Sequence, residues 1–108
     1  MKKYYSFINE ISKFNLAKAA SRNDYKKINR SYICPVNSIV NGKPIIIFAI
    51  ESLSLESIKV LIKKGAKLKY ETNKIKNSPL HCMCELSRLT YFNEDDFRNV
   101  MQFLIDEG

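Results

Sequence analysis

The chain has 108 residues, the size of a single domain. Hydrophobic residues make up 45% of it, which excludes a disordered polyelectrolyte, and 3 Gly and 3 Pro are too few for a Gly-rich cofactor loop or a turn-rich all-β fold. The net charge is +7, and the single His excludes any site that needs two. Three Cys at spacings unlike a disulfide framework predict free thiols in a reducing compartment.

The charge is distributed unevenly. Residues 1–43 carry a net +7 and residues 44–77 a net +4, whereas residues 78–108 carry a net −4. Lys, Ile, Asn, Tyr and Phe, the residues that AT-rich codons encode, make up 49 of the 108 residues, so genome composition is an alternative source of the positive charge. A basic half joined to an acidic end argues against a uniform nucleic-acid-binding coat.

Targeting signals are not predicted. Glu10 interrupts the apolar run after the basic start too early for a signal peptide. The longest apolar run, residues 45–50, is far too short to cross a bilayer. We expect a soluble, cytoplasmic protein.

The N-terminal third contains three predicted helices. The first is amphipathic and uses Tyr4, Phe7, Ile8 and Ile11. Residues 16–20 have strong helical propensity, and Asn23 and Asp24 end that helix. Residues 25–32 form a short third helix with Ile28 facing inward. Residues 34–37 are a connection.

The middle of the chain holds the best-specified helix. Before it, residues 45–50 have the β-branched content of a strand, but their place in a repeat, described below, predicts a helix. Ser54 is the expected N-cap of the next helix, and Gly65 can take the left-handed position after its end. The apolar face between them comprises Leu55, Ile58, Leu61 and Ile62.

Two more helices are predicted near the C-terminus, after a connection over residues 67–76. Ser78 caps the first and Pro79 opens it, with Leu80, Met83 and Cys84 on one face. Asn93 caps the second, whose acidic first turn, residues 94–96, complements the helix dipole. Its apolar stripe comprises Phe97, Val100, Met101, Leu104 and Ile105, and it ends at Gly108.

The chain repeats itself. Residues 44–50 align with residues 78–84 as helix openings at an offset of 34, and residues 61–65 align with residues 104–108 as helix ends at an offset of 43. The nine-residue difference falls around residues 87–92, between two helices, where an insertion is tolerated.

These residues resemble the ankyrin repeat, whose mark is Thr-Pro-Leu-His-x-Ala. Residues 78–81 read Ser-Pro-Leu-His, and residues 42–68 match without a gap, with Gly42 as the hairpin Gly and Ala49 as the first Ala. The resemblance covers roughly residues 14–108. Departures from the pattern are Ile47 for the motif His, Leu53 for the Gly between helices, Lys67 for an Asp, and Met83 and Cys84 for two Ala.

The resemblance implies an all-α ankyrin-repeat solenoid of helix–turn–helix units with short β-turn hairpins. Its units are an N-terminal helical extension (1–13), a degenerate capping repeat (14–40), a repeat (41–74), and a repeat with an inter-helix insertion that ends before the next hairpin (75–108). One helix pair cannot bury its own apolar face, so about three stacked units are the minimum. The open face of the last unit predicts self-association or marginal stability.

The Cys and His residues raise the question of a metal or an active site. His81 and Cys84 are i, i+3 neighbours, but a structural zinc needs four ligands and only Cys34 remains. We therefore expect no metal and no cofactor, with Cys84 filling a small buried position, and the family pattern implies that His81 orients backbone. A Cys–His nucleophile lacks an orienting group, and residues 37–44 lack the composition of a phosphate-binding loop, so we expect no enzyme.

The resemblance implies a non-catalytic protein–protein interaction module that binds an unidentified protein partner through hairpin tips and the inner helix face. The candidate partner-binding residues on the hairpins are Val40, Asn41, Lys43, Lys74, Ile75 and Asn77. Those on the inner helices are Glu51, Ser52, Glu85 and Leu86.

The alternative is a basic, nucleic-acid-associated accessory protein. Its evidence is the basic run Lys59, Lys63, Lys64, Lys67, Lys69, Lys74 and Lys76. Only Tyr70 interrupts that run with an aromatic ring, so base stacking is not indicated. A solvated helix back with a charged hairpin explains the same residues, and the sequence favours that interpretation.

Overall fold

The computed structural model describes residues 11–31, 34–68, 79–88 and 92–107, without the side chains of residues 80 and 81. Within these ranges the chain is mostly helical, with one small sheet, which confirms the all-α class at that level. The elements are α1 (Lys13–Ser21), α2 (Tyr25–Arg30), β1 (Ile39–Val40), β2 (Lys43–Pro44), α3 (Ile45–Glu51), α4 (Leu55–Lys63), α5 (Pro79–Leu86) and α6 (Glu94–Glu107).

The described helices stack in two layers. In one layer α1 packs on α3 and α3 packs on α5, and in the other α2 packs on α4 and α4 packs on α6. Across the layers, α1 contacts α2, α3 contacts α4 and α5 contacts α6. Each helix pair therefore buries its apolar face against its neighbours, which is how short helix pairs form a continuous core.

Helix α3 confirms the prediction for residues 45–50. Five of its side chains are buried, and they are Ile45, Ile46, Ile47, Ala49 and Ile50. A short helix with apolar residues on nearly all sides needs neighbours on nearly all sides, and α1, α4 and α5 provide them. Tertiary packing thus outweighs the strand propensity of the β-branched residues.

Three helices end with the same backbone geometry. Asn23, Leu53 and Gly65 have φ values of 55°, 53° and 104°, in the left-handed region. In each case the next amide bonds back to the carbonyl five residues earlier, which defines a Schellman motif. The three bonds are Asp24 N to Ala19 O at 2.8 Å, Ser54 N to Ala49 O at 2.9 Å and Ala66 N to Leu61 O at 2.9 Å. The turn between α1 and α2 is thus a structural repeat of the turn between α3 and α4.

Two predicted helix starts differ in mechanism. The Asn93 side chain accepts from the amide of Asp96 at 3.0 Å, which confirms that cap. Ser54 precedes α4 as predicted, but its side chain does not cap the helix. Instead, its hydroxyl lies 2.7 Å from that of Ser52, and the oxygen of Asn23 accepts from the amide of Ser57, in the first turn of α4. The cap of α4 therefore comes from the preceding helix pair.

The expected burial of Cys84 is wrong. Cys84 is exposed, whereas Cys82 is buried. Cys84 aligns with Ile50 of α3, which is fully buried. Helix α3 is covered by α5, but no described helix packs on the other side of α5, so Cys84 has no such cover. Ile105, which was expected in the apolar stripe of α6, is likewise 56% exposed.

Other expectations fall outside the described residues. These are the helix of residues 4–11 apart from its last residue, the cap at Ser78, the end at Gly108 and most of the connection over residues 67–76. The boundaries between the four predicted units stay predictions.

Candidate functional site

A tight hairpin precedes α3. Strands β1 and β2 are antiparallel, with Ile39 opposite Pro44 and Val40 opposite Lys43. Asn41 and Gly42 form the two-residue turn, with φ values of 52° and 76°. Positive φ at both central residues is the geometry of a type I′ turn, for which Asn-Gly is the favoured sequence. The turn is exposed, and Pro44 leads from it directly into α3.

An ion pair links this hairpin to the end of α3. The Lys43 ammonium donates to both carboxylate oxygens of Glu51, at 3.1 and 3.0 Å, and it lies 5.8 Å from the centre of the Phe48 ring. The two charged side chains are 36% and 39% exposed. A pair this accessible contributes at most about 1 kcal/mol to stability, so its main effect is to fix the positions of both charges.

Helix α5 lies beside this pair. Burial raises the pKa of the Cys82 thiol to about 11, and the negative charges of Glu51 and Glu85 add to that effect while Lys43 opposes it. Helix α5 packs on α3, the helix that ends at Glu51, and the exposed Glu85 lies on α5 with Cys82. At neutral pH the thiol keeps its proton, so Cys82 supplies no thiolate nucleophile.

The structure therefore groups some of the predicted residues and separates others. Asn41, Lys43 and Glu51 lie on or beside the hairpin, and together with Phe48 and Glu85 they form what we name the hairpin–helix surface. Lys74, Ile75 and Asn77 lie outside the described residues.

Three predicted residues need correction. Val40 is 6% exposed and Leu86 is 9% exposed, so both side chains belong to the core and are removed from the candidate set. Ser52 is exposed, but its hydroxyl has acceptors within the protein: Phe48 O and Ala49 O of its own helix, both at 3.1 Å, the Ser54 hydroxyl at 2.7 Å and Ala20 O at 3.3 Å. That hydroxyl is therefore occupied by internal contacts.

Sequence reasoning missed two contributors. Phe48 supplies a partly buried aromatic ring next to Lys43, but its place within an apolar run hides it as a core residue. Asn37, two residues before β1, ties the start of the hairpin segment to the residues after α4, because its amide donates to Gly65 O at 3.0 Å and its oxygen accepts from the amide of Lys67 at 2.9 Å. These partners lie far along the chain, so no local pattern indicates the Asn37 bridge.

The basic run is partly engaged in internal contacts. The Lys64 ammonium donates to Ser31 O at 2.7 Å, which satisfies a carbonyl just after α2. Lys59 lies 4.0 Å from Glu56 and 5.8 Å from the centre of the Phe103 ring. Lys63 and Lys67 are exposed, and their side chains form no ion pair or hydrogen bond with the described residues. The remaining members of the run, Lys69, Lys74 and Lys76, lie outside the described residues.

The described residues contain neither a metal-binding cluster nor a membrane-spanning helix. There, no three His, Cys, Asp or Glu side chains are grouped so that they could hold a metal ion. None of the helices in these ranges has both the length and the apolar character that a membrane span requires.

No family model, curated protein or solved structure matches this chain.

Proposed function

We propose that this chain is a non-catalytic protein–protein interaction module of the ankyrin-repeat type, which binds its partner through the hairpin–helix surface. The observation that carries the proposal is the repeated unit: helix pairs with the same Schellman turn, stacked in two layers, with an Asn-Gly hairpin leading into a first helix. The resemblance of residues 42–68 to the ankyrin repeat supports the same assignment. Because one fold can host many functions, the proposal depends on the residues of the hairpin–helix surface and not on the fold alone.

The hairpin–helix surface has the composition of a recognition surface. It combines one cation, two carboxylates and an aromatic ring around a rigid two-residue turn. The pairing of Lys43 with Glu51 holds both charges in place before a partner arrives, so less ordering is needed on binding. Mixed charge of this kind steers a partner and fixes its register more than it adds affinity.

A matched pair of charge reversals tests the proposal. Glu51 and Glu56 are both exposed and each is paired with a lysine, but Glu51 lies on the hairpin–helix surface and Glu56 on α4 in the other layer. Protein partners are first captured from cell extract in high salt, identified by mass spectrometry and titrated against the purified chain. We expect Glu51→Lys to weaken binding by about tenfold or more and Glu56→Lys by less than about twofold. Equal effects of the two variants would contradict the proposed surface.

The second candidate is nucleic-acid association in the cytoplasm. The exposed Lys63 and Lys67, and the basic helices α1 and α2, are the described residues that favour it. Phosphate binding of this type loses affinity steeply as salt is added, because it depends on counterion release. Tight DNA or RNA binding with such a slope, weakened by Lys63→Glu and unaffected by Glu51→Lys, would favour this candidate over the first.

A further inference from the structure

The outer face of the last described helix pair exposes apolar side chains that are covered in the preceding pair. We define the C-terminal face as Cys84 of α5 with Phe97, Met101 and Ile105 of α6. By the internal repeat, Cys84 aligns with Ile50 and Ile105 with Ile62. Ile50 is fully buried and Ile62 packs against the core, whereas Cys84 is exposed and Ile105 is 56% exposed.

This face also contains a groove. Its volume is about 410 Å³, and its apolar lining includes Phe92, whose ring lies 4.9 Å from that of Phe97. Glu94, Arg98 and Gln102 complete the lining with polar groups. An apolar floor with a polar rim is typical of a protein-binding surface.

The stack itself indicates which surface is complementary to the C-terminal face. In the second helix pair, two serines lie against the first pair: Ser57 donates to the side-chain oxygen of Asn23, and the Ser52 hydroxyl has Ala20 O among its acceptors, at 3.3 Å. The equivalent residues of the first pair are Arg22, which like Ser52 is the C-cap of its helix, and Lys27, which like Ser57 is the third helical residue. Both are exposed, and we name the surface that they mark the N-terminal face.

The helices that carry the two faces have opposite net charges. Helix α6 contains five acidic residues and one Arg, whereas α1 and α2 with their connection contain six basic residues and one Asp. Two α6 helices would repel one another, whereas the acidic α6 and the basic α1 and α2 attract, which favours contact between a C-terminal face and an N-terminal face. Charge and stacking geometry thus favour the same pairing.

We propose that the C-terminal face binds the N-terminal face of a second copy of this chain, in the way that each helix pair packs on the next. The contact is heterologous: it uses different surfaces on the two copies, so each copy keeps one face free to bind another. It uses neither the Asn41 turn nor the ion pair of the hairpin–helix surface, and it is therefore independent of the proposed partner-binding function.

Sedimentation velocity from micromolar to millimolar concentration tests the proposal, in low and in high salt. We expect the mean mass of the natural chain to rise with concentration and the association to weaken in high salt, because screening reduces the attraction between the faces. A chain that stays monomeric throughout the low-salt series would overturn the proposal.

Variants of the two faces then separate head-to-tail from tail-to-tail contact. Ile105→Lys alters the C-terminal face, and the double variant Arg22→Glu, Lys27→Glu alters the N-terminal face. The control is the double variant Lys63→Glu, Lys67→Glu, on and just after the central α4, which makes the same change of net charge as the N-terminal-face variant. We expect each face variant to weaken association by about tenfold or more, and the control to match the natural chain. A one-to-one mixture of the two face variants should form a dimer that does not grow, because one intact face of each kind remains.

Two outcomes refute this pairing: association of the N-terminal-face variant at natural strength, and a mixture that stays monomeric. Far-UV circular dichroism confirms that each variant is folded. If the double Glu variant unfolds, Arg22→Gln with Lys27→Gln repeats the test at the same positions. Glu51→Lys should leave self-association unchanged, which separates this proposal from the partner-binding one.

Discussion

The hydrogen bonds between Asn23 and Ser57 connect the first helix pair to the second. The Asn23 side-chain oxygen accepts from the amide of Ser57 at 3.2 Å and from its hydroxyl at 2.9 Å. Ser57 is fully buried in the first turn of α4, where the helix has free amides and where Ser54 provides no side-chain cap. One oxygen therefore satisfies two donors that have no other bond among the described residues.

Replacement of Asn23 by Gly isolates the loss of this oxygen. Gly adopts the left-handed backbone of residue 23 without strain, so the variant does not alter the turn. It leaves a helix amide and a buried hydroxyl unpaired, each of which costs about 1–3 kcal/mol. Taking the lower half of that range for each of the two groups, we expect the free energy of unfolding to fall by about 2–4 kcal/mol.

Urea unfolding followed by far-UV circular dichroism measures the change. Asn41→Gly is the matched control, because Asn41 has a φ of 52° against 55° for Asn23 but no side-chain hydrogen bond within the described residues. We expect this control to change stability by less than about 0.5 kcal/mol. Ser57→Ala alone should cost about 1 kcal/mol, because the amide keeps its acceptor.

The double variant decides the interpretation. When Asn23 is already Gly, removal of the Ser57 hydroxyl deletes an unpaired buried group, so Ser57→Ala should then cost nothing or restore stability. The two substitutions are thus expected to be non-additive by about 1 kcal/mol or more. Additive effects, or an Asn23→Gly loss no larger than that of Asn41→Gly, would refute the proposed link.

Four further predictions concern backbone conformation and thiol chemistry. Leu53 has a φ of 53°, so Leu53→Gly should be more stable to urea than Leu53→Ala by about 1 kcal/mol, the reverse of the usual order. Gly65→Ala should lower stability by about 1–2 kcal/mol in the same assay, because its φ of 104° is strained for Ala although space for a methyl group is available. A thiol-reactive aromatic disulfide should react quickly with the exposed Cys84 and with Cys82 only after the chain unfolds. The variant Cys84→Ser should abolish the fast phase of that reaction. Because the folded-state pKa of Cys82 is raised from 9.0 to about 11, the unfolded chain loses that proton first, stability falls as pH rises between those values, and Cys82→Ser should reduce the fall measured by urea unfolding.

Much of the local structure could be predicted because its causes are local. The apolar spacing of residues 55–62, followed by Gly65, predicted α4 and its left-handed end, and both are observed. The acidic start of α6 and its Asn93 cap were predicted for the same reason. The helix over residues 45–50 could not be predicted from local propensity, which favoured a strand. Only the internal repeat of the chain indicated a helix there.

The candidate surface was less predictable than the helices. The positions of Asn41 and Gly42 follow from a turn that two residues specify by themselves. Val40 and Leu86 were misassigned because a repeat pattern gives the position of a residue in a unit, not its burial in a particular stack. The prediction for Cys84 was wrong in the opposite sense, since it was expected to be buried and is exposed. Its alignment with a buried residue does not provide the neighbouring helix that buries that residue.

The sequence by itself therefore determined the helix pairs, their turns, the hairpin and the opposite charges of the two ends, because each depends on neighbouring residues or on simple counts. Only the tertiary structure decided that Asn23 caps a helix of the next pair, that Asn37 bridges to the residues after α4, and that Lys43 pairs with Glu51 over Phe48. Those contacts join atoms from different turns or units, and their geometry exists only after the helix pairs have stacked.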